Sequence, residues 1–186
     1  METLDGEELY DGAVRRLEPG EAHARYVVGF LLVEGMPSVL LIRKKRPQWQ
    51  AGRLNGPGGK VEPGETFLDA MRREFEEEIG VRVERWEHFV TLRGEEKAGQ
   101  PYEVAFFRGS VTLGGAHYII DDARQYEEQP EWVRTDPLPS DVLPNLRFLI
   151  PMARYPHRPA EPYTLIEGAA NPQDVQNQLA DSTGQP

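Results

Sequence analysis

Cysteine is absent from the 186 residues, which excludes disulfides, thiol nucleophiles, thiolate zinc sites and cysteine-held iron–sulfur clusters together. Any metal has to sit on oxygen or imidazole ligands. Long apolar runs are missing as well: no stretch approaches the ~20 residues that span a bilayer. The acidic start, with Glu2, Asp5, Glu7 and Glu8, lacks the basic and apolar regions of a secretory leader. The expectation is a cytoplasmic protein with no membrane partner. Positive charge is scarce, 21 Lys and Arg against 31 Asp and Glu for a formal net charge of −10. That balance disfavours nonspecific binding to nucleic acid, which depends on neutralising phosphates with basic side chains, so no nucleic-acid partner is expected. A small phosphorylated substrate stays compatible if metal ions or a local basic patch offset the repulsion. His23, His88, His117 and His157 show no metal-ligand spacing. Ser38, Ser110, Ser140 and Ser182 sit in no nucleophile motif.

What is present suffices for one core. Hydrophobic residues make up 39% and charged residues 28%, an ordinary balance for a globular domain, and the length suits one domain with extensions. Residues 1–23 form an acidic N-terminal extension, residues 24–155 the domain, and residues 156–186 a Pro- and Gln-rich tail expected to be poorly ordered. The β-branched and aliphatic run over residues 25–34 and the run over residues 38–44 predict two paired strands joined at Gly35-Met36-Pro37. The glycine-rich residues 50–64 predict a loop, with at most a short strand at residues 60–62. A helix follows, with Thr66 as N-cap and Gly80 as stop. Residues 81–93, 102–113 and 131–135 predict further strands, and residues 141–155 a second helix interrupted or delayed by Pro144 and Pro151. This order points to an α+β fold with a mixed sheet, not a doubly wound one.

The helix carries the chemistry. At about 100° per residue, Phe67, Leu68, Met71, Phe75 and Ile79 share one face that must pack on a core. Glu74, Glu77 and Glu78 fall together on the adjoining face. Like charges at i,i+4 cost a helix roughly 0.2–0.5 kcal/mol per pair, and a carboxylate beside the core also loses hydration. A solvated acidic face is one account of the cluster. The other is a site for hard divalent cations, which prefer carboxylate oxygens and keep waters or substrate phosphates as further ligands.

The surrounding pattern favours the second account. From Gly59 the sequence GKVEPGETFLDAMRREFEEEIGV places Gly59, Glu65, Arg73-Glu74, Glu77-Glu78 and Gly80 at the spacing of the Nudix box, and the chain resembles the Nudix hydrolases in this segment. Phe75 stands where that family usually has an aliphatic residue. The resemblance implies an α/β/α sandwich with a mixed β-sheet and an Mg2+-dependent hydrolase, Mn2+ serving as a substitute. It implies metal ligation by Glu77, Glu78, the Gly58 carbonyl and Glu74, with Glu74 alternatively acting as the base for the attacking water. Arg73 and Glu65 would orient Glu74, and a further carboxylate would come from Glu127, with Glu128 as fallback. A homodimer is common in the family at this size.

Residues 43–60, RKKRPQWQAGRLNGPGGK, are similar to the corresponding stretch of MutT-like nucleoside triphosphate pyrophosphatases, particularly the oxidised-purine subgroup. That resemblance makes Asn55 a base contact and Trp49 a stacking platform, against the plainer account of Trp49 as packing under a loop. The four basic residues Arg43 to Arg46, Arg43 and Lys45 foremost, and Lys60 would add positive charge for phosphate oxygens. Where that subgroup carries a Trp-Pro followed by two acidic residues, this chain has Leu143, Asn145 and Leu146, which leaves base preference open. The leading expectation is hydrolysis of a (deoxy)nucleoside triphosphate to monophosphate and pyrophosphate. The alternatives are another nucleoside diphosphate-linked substrate or a noncatalytic nucleotide-binding module on the same fold.

Overall fold

The computed structural model describes residues 24–95, 100–122, 128–155 and 161–166. Strand β1 (Ala24–Val33) is followed by β2 (Ser38–Arg43), the short β3 (Leu54–Asn55), helix α1 (Phe67–Ile79), β4 (Glu87–Glu95), β5 (Pro101–Val111), α2 (Leu113–Asp122), β6 (Pro130–Arg134), α3 (Leu146–Arg154) and β7 (Tyr163–Ile166). The strands form one mixed sheet in the order β3-β2-β1-β5-β4-β7, with β6 on β2. β1 runs parallel to β5 and β4 parallel to β7, while β1 with β2, and β4 with β5, are antiparallel.

Period-two alternation along the strands sends side chains to opposite faces, and each face meets a helix. Val27, Leu31, Leu40 and Ile42 pack with Met71, Phe75 and Ile79 of α1 and with Ile119 of α2. Phe30, Val39, Leu41 and Phe106 pack with Leu146, Leu149 and Ile150 of α3. The result is the α/β/α sandwich expected from the sequence.

Helix α1 forms where the helical wheel places it. Thr66 accepts the Asp69 N–H at its start, and Gly80 closes it at φ 80° with its N–H bonded to Glu76 O, the left-handed conformation glycine adopts at least cost.

Four elements differ from the sequence expectation. Residues 81–86 are not strand: the Arg72 guanidinium holds Glu84 O, and Trp86 packs edge-on against Phe75 at 5.0 Å, so this segment follows α1 before joining the sheet. Helix α2 has no counterpart in the sequence expectation, because Gly114 and Gly115 weaken the local helical signal. Ala116 and Ile119 are buried beneath it, and the Trp132 indole N–H donates to Ala116 O, so tertiary packing supplies what propensity lacks. β3 at Leu54–Asn55 falls within residues 50–64, expected to be loop with at most a short strand at residues 60–62, where Lys60 makes an isolated bridge to Tyr26. Helix α3 starts after Pro144, the delay the sequence predicts, and accommodates Pro151 within it. β7 lies beyond the expected domain end at Tyr155 and pairs Val90 with Tyr163 through Arg93 with Ile166.

Candidate active site on the glutamate helix

The loop before α1 is held to the sheet by its backbone. Val27 N–H donates to Gly59 O and Gly29 N–H to Pro57 O, clamping the loop edge-on to β1. So close an approach leaves no room for side chains: a Cβ at Gly58, whose φ is +153°, would collide with the Val27 carbonyl, and one at Gly59 would collide with the Glu74 carboxylate. Between the two clamped carbonyls, no hydrogen bond among the described residues ends on Gly58 O.

Arg73 is the hub of the acidic face. Its Nε and Nη2 donate to the two oxygens of Glu65 at 2.7 and 3.0 Å, a fork-on-fork pair. Nη1 donates to Glu74 Oε1 at 2.8 Å and to Glu77 Oε2 at 3.2 Å, and Nη2 also reaches Lys60 O at 3.0 Å. Glu65 in turn accepts the Glu62 N–H. The guanidinium hydrogen bonds hold the Glu65 carboxyl below its ordinary range, and these carboxylates raise the already high Arg73 pKa further. Glu74 is half-buried, and desolvation raises its pKa despite the opposing pull of Arg73. Glu77 is the exposed member, its side chain 60% accessible.

Glu78 faces the sheet. One oxygen accepts the Gly58 N–H at 2.7 Å, and the other accepts from Lys44 Nζ at 2.9 Å. Burial raises the Glu78 pKa against the influence of Lys44. Lys44 also lies 2.7 Å from Glu128 Oε2, while Glu128 Oε1 accepts the Lys45 N–H. Burial alone would lower the Lys44 pKa, but Glu78 and Glu128 outweigh it and the net shift is upward. From the sequence Lys44 is one of the four basic residues, Arg43 to Arg46, offered to phosphate oxygens, not a partner of Glu78. The available signal was strand alternation, since Leu40 and Ile42 face α1 and Lys44 continues their row.

The remaining candidates are spread around this centre. Glu127 lies outside the described residues, and its fallback Glu128 is the one the structure places near Glu78. Trp49 is 68% exposed, which removes packing under a loop as its role. The Asn55 amide donates to Gln50 Oε1 and accepts the Gly56 N–H, and its Cα pairs with Ile42 on the α1 side of the sheet. Lys60 is exposed, with its carbonyl taken by Arg73. Arg43 is committed elsewhere: its guanidinium bonds Gly52 O, Asp141 and Glu131, raising the Arg43 pKa and lowering that of Asp141. Leu143 and Leu146 are buried against α3 and the sheet, so neither offers a group to read a base.

Whether the face fits a divalent ion can be judged from its donors. Gly58 O, Glu74, Glu77 and Glu78 supply only hard oxygen ligands, as Mg2+ and Mn2+ require. Glu74 and Glu78 are partly desolvated carboxylates, whose charge calls for a cation. Among the described residues no three acidic or imidazole side chains already converge as a metal cluster, because Glu74 and Glu77 lean on Arg73 and Glu78 on Lys44. The donor chemistry fits, and ion binding has to compete with these internal cations.

Comparison with known proteins agrees with this geometry. Residues 22–147 match the family model described as NUDIX domain. The chain is 32% identical over 118 residues to the mouse oxidized purine nucleoside triphosphate hydrolase, covering 62% of this chain and 72% of that protein. It is 31% identical over 117 residues to the human 8-oxo-dGDP phosphatase NUDT18, covering 63% of this chain and 34% of that protein. Among solved structures, the MutT protein of Bacillus halodurans superimposes with a TM-score of 0.53 at 19% identity, covering 78% of this chain and 91% of that one. The NUDIX domain of Shewanella oneidensis NrtR, complexed with ADP ribose, gives 0.56 at 16% identity, covering 72% and 88%. At these identities the two structures speak for the fold alone.

Proposed function

The chain belongs to the Nudix family, and we propose that this pyrophosphohydrolase cleaves a (deoxy)nucleoside triphosphate to the monophosphate and pyrophosphate with Mg2+. The observation that carries the reading is the pairing of α1 with the Gly58-Gly59 loop. That pairing sets the carboxylates of Glu74 and Glu78, both partly stripped of water, against the loop backbone, Glu74 at Gly59 and Glu78 on the Gly58 N–H.

In this reading Glu77, Glu78, Glu74 and Gly58 O would hold the metal, with Glu128 or Glu127 adding a carboxylate from the segment before β6. Bound Mg2+ supplies Lewis acidity, neutralising phosphate charge and acidifying a water. The protein supplies orientation and proton transfer. Arg73, itself anchored on Glu65 and Lys60 O, fixes the direction of Glu74. Desolvation strengthens the affinity of Glu74 for a proton, which suits it to take one from the attacking water. Trp49 offers an exposed indole face for a purine, and the Asn55 amide, held by Gln50 and Gly56, offers donor and acceptor atoms to its edge. Lys45 and Lys60 add positive charge for phosphate oxygens. Arg43, occupied by Glu131 and Asp141, is better assigned to holding residues 44–53 in place.

The mouse and human relatives are named for oxidised purine nucleotides, which puts 8-oxo-dGTP first among substrates to try. The match to an 8-oxo-dGDP phosphatase makes the diphosphate the second reading. The test is phosphate and pyrophosphate release from dGTP, 8-oxo-dGTP, 8-oxo-dGDP and a sugar nucleotide with Mg2+, in the wild type and Glu77→Gln. Metal-dependent turnover lost in the variant supports the assignment, and the substrate with the highest kcat/KM identifies the class. Saturable binding without turnover of any substrate would refute it.

A further inference from the structure

Of the basic run at residues 43–46, Lys44 is the member withdrawn from solvent; Arg43, Lys45 and Arg46 are exposed. Its side chain is 12% accessible and its ammonium sits between two carboxylates, 2.9 Å from Glu78 Oε1 and 2.7 Å from Glu128 Oε2. The second oxygen of Glu78 is already taken by the Gly58 N–H. Lys44 therefore occupies the oxygen of Glu78 that the loop leaves over. An ammonium and a divalent cation on one partly desolvated carboxylate repel each other strongly, because low effective dielectric sharpens the interaction of like charges. The lysine stem is flexible and its head a compact point charge, so it can leave Glu78 without disturbing β2, which ends at Arg43.

We propose that Lys44 is a tethered cation that competes with the divalent metal for Glu78, so that metal loading releases the ammonium and the strength of its ion pair sets the metal affinity. The inference rests on the reading of Glu78 as a metal ligand. It makes Lys44 a positioning residue acting through Glu78. The released ammonium then becomes a cation for the substrate's phosphates, which links metal binding to substrate binding.

The experiment is a Mn2+ titration of the substrate-free full chain, following free Mn2+ by electron paramagnetic resonance, for wild type, Lys44→Met and Lys44→Arg. Removing the competing charge in Lys44→Met is expected to tighten Mn2+ binding by about tenfold or more, while Lys44→Arg stays near wild type. Equal or weaker binding by Lys44→Met overturns the proposal. A second measurement needs no variant: the rate at which an amine-acylating reagent modifies Lys44, read by peptide mass spectrometry, is expected to rise severalfold when Mn2+ is added. An unchanged rate in protein that binds Mn2+ overturns the proposal equally. Glu78→Gln separates the two readings. If it abolishes Mn2+ binding while Lys44→Met changes nothing, only the competition fails; if it leaves Mn2+ binding and hydrolysis intact, the metal-site reading fails and the competition with it.

Discussion

Gly59 packs directly against the carboxylate of Glu74, leaving no space for even a methyl group between the loop and α1. Gly59→Ala should therefore push Glu74 off its line and lower kcat by about 10–100-fold, the usual cost of disturbing a group that orients a metal site. Gly58→Ala, which meets the Val27 backbone instead, should cost about 1–3 kcal/mol of stability in addition to the turnover lost by moving the Gly58 carbonyl and its N–H off Glu78. Steady-state kinetics and thermal melts of both variants check these effects, and wild-type kcat in Gly59→Ala would remove the link between that glycine and Glu74.

Arg73 serves Glu65, Glu74, Glu77 and Lys60 O at once, a set that a planar fork can reach and an ammonium cannot. Arg73→Lys keeps the charge yet is expected to lose about 1–3 kcal/mol of stability from broken charge-assisted hydrogen bonds, together with most of kcat. Denaturant melts and kinetics of this one variant decide the matter: unaltered values would mean that charge alone, without geometry, is what the site needs.

Glu78→Gln keeps the size but removes the charge and turns one of the two acceptor oxygens into an NH2 donor, so that Gly58 N–H and Lys44 Nζ can no longer both be satisfied. Turnover should drop by at least about 100-fold, and added Mn2+ should no longer raise the melting temperature. Chelation of divalent ions in the wild type should stop hydrolysis and restore it on addition of Mg2+. Persistent turnover in excess chelator would contradict a metal-dependent reaction.

Trp49 is too exposed to contribute to the core. Trp49→Ala should leave the melting temperature unchanged and raise KM for nucleotides about 10-fold or more, as loss of base stacking worth ~1–3 kcal/mol implies. Inorganic polyphosphate, which has no base, should be unaffected. Equal effects on both substrates would exclude stacking.

His88 provides the pH test. Burial lowers its pKa below the ordinary histidine value of 6.5; the ring stacks on Phe107, and Nε2 lies 2.9 Å from Thr91 Oγ1. The unfolded chain therefore binds a proton that the folded chain refuses in the window just below 6.5, so stability rises with pH through that window and is lost as pH falls. His88→Gln should flatten this part of the profile. Melting temperatures between pH 5 and 8 for both proteins give the comparison, and parallel curves would show that His88 contributes nothing.

Much of the site was legible locally because it is built on one helix. The spacing of Glu74, Glu77 and Glu78, the N-cap at Thr66 and the stop at Gly80 all follow from 3.6 residues per turn and from short-range hydrogen bonds, so order along the chain suffices to place them. The same holds for β1 and β2, whose apolar runs are strong and continuous. The family pattern added the α/β/α arrangement of the layers.

Contacts distant in sequence were decided only by folding. The approach of Lys44 to Glu78 and Glu128, the capture of Arg43 by Asp141 and Glu131, and the addition of β7 to β4 each join segments that carry no mark of one another. Helix α2 forms despite two glycines because Ala116 and Ile119 find a buried face. Residues 81–86 leave the strand pattern because α1 offers Arg72 and Phe75 as partners. Periodicity reports which face of an element is apolar, whereas the choice of what that face meets, and which cation ends beside which carboxylate, belongs to the assembled sheet and its two helical layers.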